Sequence, residues 1–184
     1  PATLYVPVTH AIAEPSSGAT SVPYVTLPTA RTFTSPGART PATHLLSNGQ
    51  YTVMLTAAGS GYSTWNGQAL TRWREDGVSD DWGSFFYLRE PKTGKTWSAG
   101  HMPTANASDS YFASFAEDKA EFIRRDGVIT TTLDCVVSPE DNAEVRRVTI
   151  SNGGLTAREI EVTSYSELVL AQAAADTTHP AFSK

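Results

Sequence analysis

Cysteine is almost absent from this sequence, since Cys135 is the single one in 184 residues. An internal disulfide framework is therefore excluded, and the low cysteine use fits a reducing compartment. Histidine is also sparse and shows no metal-ligand spacing, so neither a metal nor another cofactor is expected. The four histidines are His10, His44, His101 and His179.

Basic runs and long apolar runs are missing as well. The formal net charge is −5 and no cluster of lysine and arginine occurs, so nucleic acid is not expected as a partner. The longest apolar run, Leu168 to Ala175, is short and contains Gln172, so it cannot span a bilayer. We expect no signal peptide and no direct membrane insertion. The expected location is cytoplasmic. The chain could be there as a soluble domain of an enzyme that is anchored to the bacterial inner membrane.

No segment has the 3.6-residue apolar period of an ordinary helix. Segments of β-branched and aromatic residues recur instead, with turn residues between them, which predicts an all-β antiparallel sandwich or barrel. The strongest hairpin signal is Asp126-Gly127, between two apolar segments. Strands are predicted at Tyr51 to Thr56, Gly83 to Arg89, Lys95 to Ser98, Tyr111 to Ala116, Lys119 to Arg125 and Glu144 to Ser151.

Two segments alternate regularly enough for their core faces to be predicted. In Gly127 to Val137 the apolar face includes Cys135, which predicts a small buried hydrophobe rather than a nucleophile. Arg158 to Leu170 is predicted as one long strand. Its predicted core face consists of Ile160, Val162, Leu168 and Leu170.

Residues 1–43 are rich in proline, threonine, serine and alanine. Such a composition buries little apolar surface, and prolines block regular strand pairing, so an extended arm or linker is predicted here. Residues 44–184 are predicted to be the folded part.

The stretch from His44 to Asp76 concentrates glycine turns, aromatic rings and charge. Planar rings can stack on the C–H face of a sugar, and guanidinium groups can bind its hydroxyls, which indicates a carbohydrate contact or an interface. A structural role is the alternative, because tryptophans are common in strands and arginines often form surface ion pairs. The candidate residues are Tyr62, Trp65, Arg72, Trp73 and Asp76.

Several ordered segments of residues 44–184 resemble the inverting glycoside phosphorylase family that includes cellobiose phosphorylase. The resemblance is strongest to the phosphorylase-like C-terminal region of cyclic β-1,2-glucan synthases. The segments are HLLSNGQYTVMLTAAGSGYSTW, LTRWRED, DDWGSFFYLRE, TGKTWSAG, SPEDNAEVRRVTISN and REIEVTSYSELVLAQAAADTTHPAFSK.

The resemblance implies the first part of a galactose-mutarotase-like β-supersandwich, incomplete at its C-terminal end. In that family a helical barrel follows, which carries the catalytic acid and uses inorganic phosphate as nucleophile. The implied role is support of the barrel and contact with a β-glucan or a second subunit. No catalytic residue is assigned here, because no two carboxylates are marked as a converging pair.

Two other functions remain open from the sequence. A self-sufficient carbohydrate-binding module would use Tyr62, Trp65 and Trp73 as stacking rings. An aldose epimerase of mutarotase type would need a histidine and a carboxylate in one cleft, with His101 and His179 as the available histidines. We also expect the chain to associate, either with a second copy or with the remainder of its parent enzyme.

Overall fold

The computed structural model describes residues 30–37, 41–74 and 79–178, and nearly all of their regular structure is β. The all-β antiparallel class is therefore confirmed. The described part contains no helix long and apolar enough to cross a membrane. The elements are β1 (Ala30–Phe33), β2 (Thr43–Ser47), β3 (Tyr51–Thr56), β4 (Gly61–Trp65), β5 (Gln68–Thr71), β6 (Ser84–Arg89), β7 (Thr96–Ser98), β8 (Ser110–Ala116), β9 (Ala120–Asp126), β10 (Ile129–Val137), β11 (Glu144–Asn152), β12 (Glu161–Ser166), β13 (Leu168–Gln172) and α1 (Ala173–Thr178).

The strands form three sheets. The first sheet has the order β1-β8-β9-β10-β11, the second β13-β5-β4-β3-β2 and the third β12-β6-β7. Most neighbours are sequential hairpins, as the turn residues predict. At the β9–β10 turn Gly127 takes a φ of 64°, which glycine adopts without strain. At the β2–β3 turn the Asn48 side chain accepts hydrogen bonds from the backbone N–H groups of Gln50 and Tyr51.

The core draws apolar side chains from all three sheets. Trp97, Phe122 and Leu88 are each at most 2% exposed, and burial of such side chains is the main favourable term in folding. The predicted core face of β10 is confirmed. Cys135 is 1% exposed, and burial raises the pKa of its thiol to about 11, so the thiolate is disfavoured.

A buried polar network ties the sheets together. Glu144 on β11 accepts hydrogen bonds from Ser63 Oγ at 2.7 Å, Tyr51 Oη at 3.3 Å and Arg146 Nε at 2.9 Å. Arg146 Nη1 also donates to the carbonyl of Ser84 at 2.7 Å. These bonds satisfy charges that would be costly to bury alone, and they fix the first sheet against the other two.

The prediction of one long strand from Arg158 to Leu170 is wrong. The segment splits at Glu167 into β12 of the third sheet and β13 of the second. Leu168 and Leu170 are 57% and 60% exposed, whereas Val169 is 1% exposed, so the predicted core face of this part is reversed. The pairing register shifts between Leu168 and Ala171, and a strand's faces depend on that register.

Part of the arm predicted for residues 1–43 is described by the structure and forms β1. Ala30–Phe33 pairs with β8 along its whole length, and Phe33 packs its ring 5.3 Å from that of Phe115. Composition alone does not indicate this strand, because residues 1–43 are rich in proline and Pro28 and Pro36 lie close to its two ends. The remainder of the predicted arm, residues 1–29, lies outside the described residues.

Candidate functional site

The rings of Tyr62 and Trp73 lie together at the surface of the second sheet. Their centroids are 5.5 Å apart and the ring planes are inclined at 54°, which is a favourable tilted contact. Trp73 is 37% exposed and Tyr62 is half-buried. Two of the predicted residues are therefore brought into contact and still offer ring surface to solvent.

Arg72 is held by carboxylates within the fold. Its Nε and Nη2 bind the carboxylate of Asp176 on α1 at 2.6 to 3.1 Å, and its Nη1 pairs with Glu167. Hydrogen bonds to Asp176 raise the pKa of Arg72 above its ordinary value. The side chains of Arg72 and Asp176 are only about a tenth exposed. The structure thus shows Arg72 as an internal clamp that anchors β13 and α1 to β5.

A loop of residues 79–83 lies against the β3–β4 hairpin, and Gly83 lies close to the backbone of Gly61. Gly61 N–H donates to the carbonyl of Trp82 at 2.8 Å. A Cβ on Gly61 would lie 1.8 Å from the carbonyl oxygen of Met54, and one on Gly83 would lie 3.2 Å from the nitrogen of Gly61. Thr56 Oγ1 also donates to the carboxylate of Asp80 at 3.0 Å. This close packing fixes the position of Trp82.

Beside this loop is a cleft of about 180 Å³, which we call the Trp82 cleft. Its second wall is formed by β12 and the residue that follows it. Arg74 places its guanidinium carbon 5.9 Å from the centre of the Trp82 ring. Glu167 belongs both to the cleft and to the Arg72 clamp. The cleft is lined by Asp81, Trp82, Gly83, Tyr165 and Glu167.

The residues predicted from the sequence and those that line the Trp82 cleft are different sets. Trp65 ends β4 and is 39% exposed, and none of the ring contacts described for Tyr62, Trp73 and Trp82 includes it. Asp76 lies outside the described residues. Asp81, Trp82, Tyr165 and Glu167 were not selected as candidates. In the sequence, Trp82 stands between an acidic pair and a glycine, which was the local signal for it. The position of β12 beside Trp82 depends on strand pairing in the third sheet, which a local pattern does not predict.

Comparison with known proteins decides the family. The family model described as "Glycosyl hydrolase 94, supersandwich domain" matches residues 27–184, which is most of the chain. The chain belongs to this family. The match includes β1, in agreement with its place in the first sheet.

Three relatives are enzymes that act on, or make, glycosidic bonds according to their names. The cyclic beta-(1,2)-glucan synthase NdvB of Rhizobium meliloti (strain 1021) is 44% identical over 179 residues, which is 97% of this chain and 6% of that protein. The N,N'-diacetylchitobiose phosphorylase of Vibrio furnissii is 26% identical over 153 residues, 78% of this chain and 19% of its own length. The solabiose phosphorylase of Paenibacillus borealis is 30% identical over 86 residues, 47% of this chain and 11% of its own. The supersandwich chain therefore spans a small part of each relative.

Asp134 on β10 serves this supersandwich structurally. Burial opposes ionisation of Asp134, but hydrogen bonds from Arg147 and Lys119 outweigh it and lower the pKa of this carboxyl. Arg147 Nη2 lies 2.7 Å and Lys119 Nζ 3.2 Å from the carboxylate. An acid held ionised in this way is a poor proton donor.

The surroundings of His101 do not favour the epimerase alternative. Its ring lies edge-on to that of Tyr111, with centroids 6.2 Å apart. Burial, and then the charge of Arg124, lowers the pKa of His101. Arg124 is itself fully buried and bound to Asp126, so the near carboxylate is already paired. His179 lies outside the described residues.

A second hollow of about 710 Å³ lies where the β2–β3, β8–β9 and β10–β11 turns meet. Its floor includes Leu46, Val137 and Val145, and its rim includes Glu117 and Asp118. It contains no aromatic platform and none of the predicted site residues. The Trp82 cleft is the better candidate for ligand contact, because it combines rings with hydrogen-bonding groups.

Proposed function

We propose that this chain is the supersandwich domain of an enzyme that acts on β-glucan, of the cyclic β-1,2-glucan synthase or β-glucan phosphorylase kind. The observation that carries the proposal is the 44% identity to NdvB across 97% of the chain. In this proposal the sandwich supports a helical catalytic barrel elsewhere in the parent enzyme. Inorganic phosphate is the co-substrate of that barrel, and the location is the cytoplasm, as part of an enzyme anchored to the inner membrane.

The exposed side of β12 and β13 supports a docking role. All six residues of β12 are exposed, and β12 is the edge strand of the third sheet among the described residues. Val162, Leu168 and Leu170 are each about half exposed or more. An open strand edge beside exposed apolar side chains is costly in water, so we propose that the remainder of the parent, or a second copy, covers it.

The proposal gives the chain a binding role and no catalysis of its own. Asp80 and Asp134 are each engaged by neighbouring side chains, which argues against either acting as a general acid. A self-sufficient carbohydrate-binding module is the second candidate, favoured by the exposed rings of Trp65 and Trp73.

Calorimetric titration with β-1,2-linked gluco-oligosaccharides tests the glucan contact, with β-1,4-linked oligosaccharides of equal length as the matched control. Selective binding of the β-1,2 series is expected, together with no release of glucose 1-phosphate when phosphate is added. Release of glucose 1-phosphate by pure protein would contradict the proposal that catalysis belongs to the barrel and not to this chain. Absence of any binding would remove the glucan contact from the proposal.

A further inference from the structure

The Trp82 cleft has the size and the lining of a site for one sugar ring. Its volume of about 180 Å³ is below the range of about 300–1,000 Å³ typical of pockets for drug-sized ligands. Gly83 contributes only backbone to the lining. A ligand of this site is therefore a single compact ring or one unit of a chain.

The chemistry of the lining selects among such ligands. Asp81 and Glu167 are two hydrogen-bond acceptors in one small cleft, which disfavours a phosphate or another anion by charge repulsion. The aromatic faces of Trp82 and Tyr165 suit an apolar C–H surface. A hexopyranose presents both features at once, since its hydroxyl groups donate hydrogen bonds and its axial C–H bonds form an apolar face.

The two rings have different roles in this arrangement. Arg74 lies over the Trp82 ring, and this cation–π contact braces Trp82 as a wall. Tyr165 is 51% exposed and is the accessible stacking platform. Arg72 binds Oε1 of Glu167, so the carboxylate is oriented and its Oε2 accepts no hydrogen bond from the described residues. Glu167 Oε2 is the acceptor best placed for a sugar hydroxyl.

We propose that the Trp82 cleft binds one glucosyl unit of a β-glucan, with Tyr165 as stacking platform and Asp81 and Glu167 as hydroxyl acceptors. This proposal rests on the proposed function for the identity of the sugar, while the cleft supplies the ring size and the contacts. It adds three binding residues that the sequence did not indicate, two of them more than 80 positions along the chain from Asp81.

The test is titration of the whole chain and its variants with a β-1,2-linked glucose disaccharide, followed by calorimetry and tryptophan fluorescence. We expect Tyr165→Ala to weaken binding about tenfold through the lost ring contact, and Tyr165→Phe to retain it. Asp81→Asn keeps the size of the side chain and removes its charge, and we expect a loss of about three- to tenfold. Leu155→Ala is the control, because this fully exposed side chain is not part of the cleft, and its affinity should equal that of the unaltered chain. Trp65→Ala tests the rival platform at the end of β4.

Melting temperatures accompany every titration, so that a folding defect is distinguished from a binding defect. If the unaltered chain binds and Tyr165→Ala and Asp81→Asn bind equally well, the cleft is not the site and the proposed function survives. If Trp65→Ala alone weakens binding, the sugar lies at the end of β4 and the cleft proposal is overturned. If the unaltered chain binds no β-glucan while remaining folded, the glucan contact of the proposed function is overturned as well.

Discussion

At the residue scale, the fold lowers the pKa of two histidines, His44 and His101. His44 stacks on Phe115 with ring centroids 5.0 Å apart and planes within 9° of parallel. Burial lowers the pKa of His44 and outweighs the opposing effect of a backbone hydrogen bond with Ala116, and the charge of Arg31 lowers it further. Burial likewise lowers the pKa of His101. Charging either ring would place an additional cation beside an arginine.

These histidines predict a loss of stability in mild acid. An unfolded histidine takes up a proton near pH ~6.5, whereas the folded rings do so only at lower pH. Unfolding then binds protons, so the contribution is full above pH ~6.5 and is lost as pH falls through the lowered pKa values. Urea denaturation at several pH values between about 7 and 5 measures this slope. We expect the double variant His44→Gln, His101→Gln to have a smaller slope of stability against pH. An unchanged slope would contradict the role of these two histidines.

At the scale of elements, one buried arginine fastens the last strand and helix to the second sheet. Arg72 binds Asp176 on α1 and Glu167 before β13, and its backbone N–H donates to the carbonyl of Glu167 at 2.9 Å. A helix of six residues is too short to be stable alone, so α1 depends on this anchor.

Removing the anchor should be costly. Arg72→Ala leaves the buried carboxylate of Asp176 without its main partner, for which we expect a loss of about 3–5 kcal/mol in the free energy of unfolding. Arg89→Ala is the matched control, because its pair with Glu161 is more than half exposed on both sides and is worth at most about 1 kcal/mol. Hydrogen exchange should quicken first in residues 168–178 of the Arg72 variant. Equal destabilisation by the two variants would show that Arg72 is not a clamp.

Which elements could be predicted from the sequence depended on whether their partners were local. The β8–β9, β9–β10 and β6–β7 hairpins were predicted correctly, since turn residues and alternation lie in one short segment. The separation of β12 from β13 was not, because residues 158–170 contain no glycine or proline that would mark the change of sheet at Glu167. Arg72 and Glu167 are 95 positions apart, so no local pattern relates them. The Trp82 cleft was missed for the same reason, whereas the Tyr62–Trp73 contact lies within one stretch.

At the scale of the whole molecule, the open edge at β12 predicts association. We expect light scattering over a range of concentrations to show a rising mass for the isolated chain, with closed two-fold pairing as the simplest product. Leu168→Glu should weaken association by placing a charge on the exposed apolar surface, since Leu168 is 57% exposed. Leu155→Glu is the control, because Leu155 is fully exposed in a turn. A monomer at all concentrations with a cooperative melt would contradict the prediction.

The junction at Glu167 has a further consequence for how the chain length can vary. A single residue separates the end of β12 from the start of β13, and it joins two different sheets. Since side chains alternate with a period of two, one inserted residue at this point would shift the phase of β13, turning Val169 outward and its apolar neighbours inward. Insertions and deletions should therefore be tolerated in the exposed turn at residues 153–158 but not at this joint.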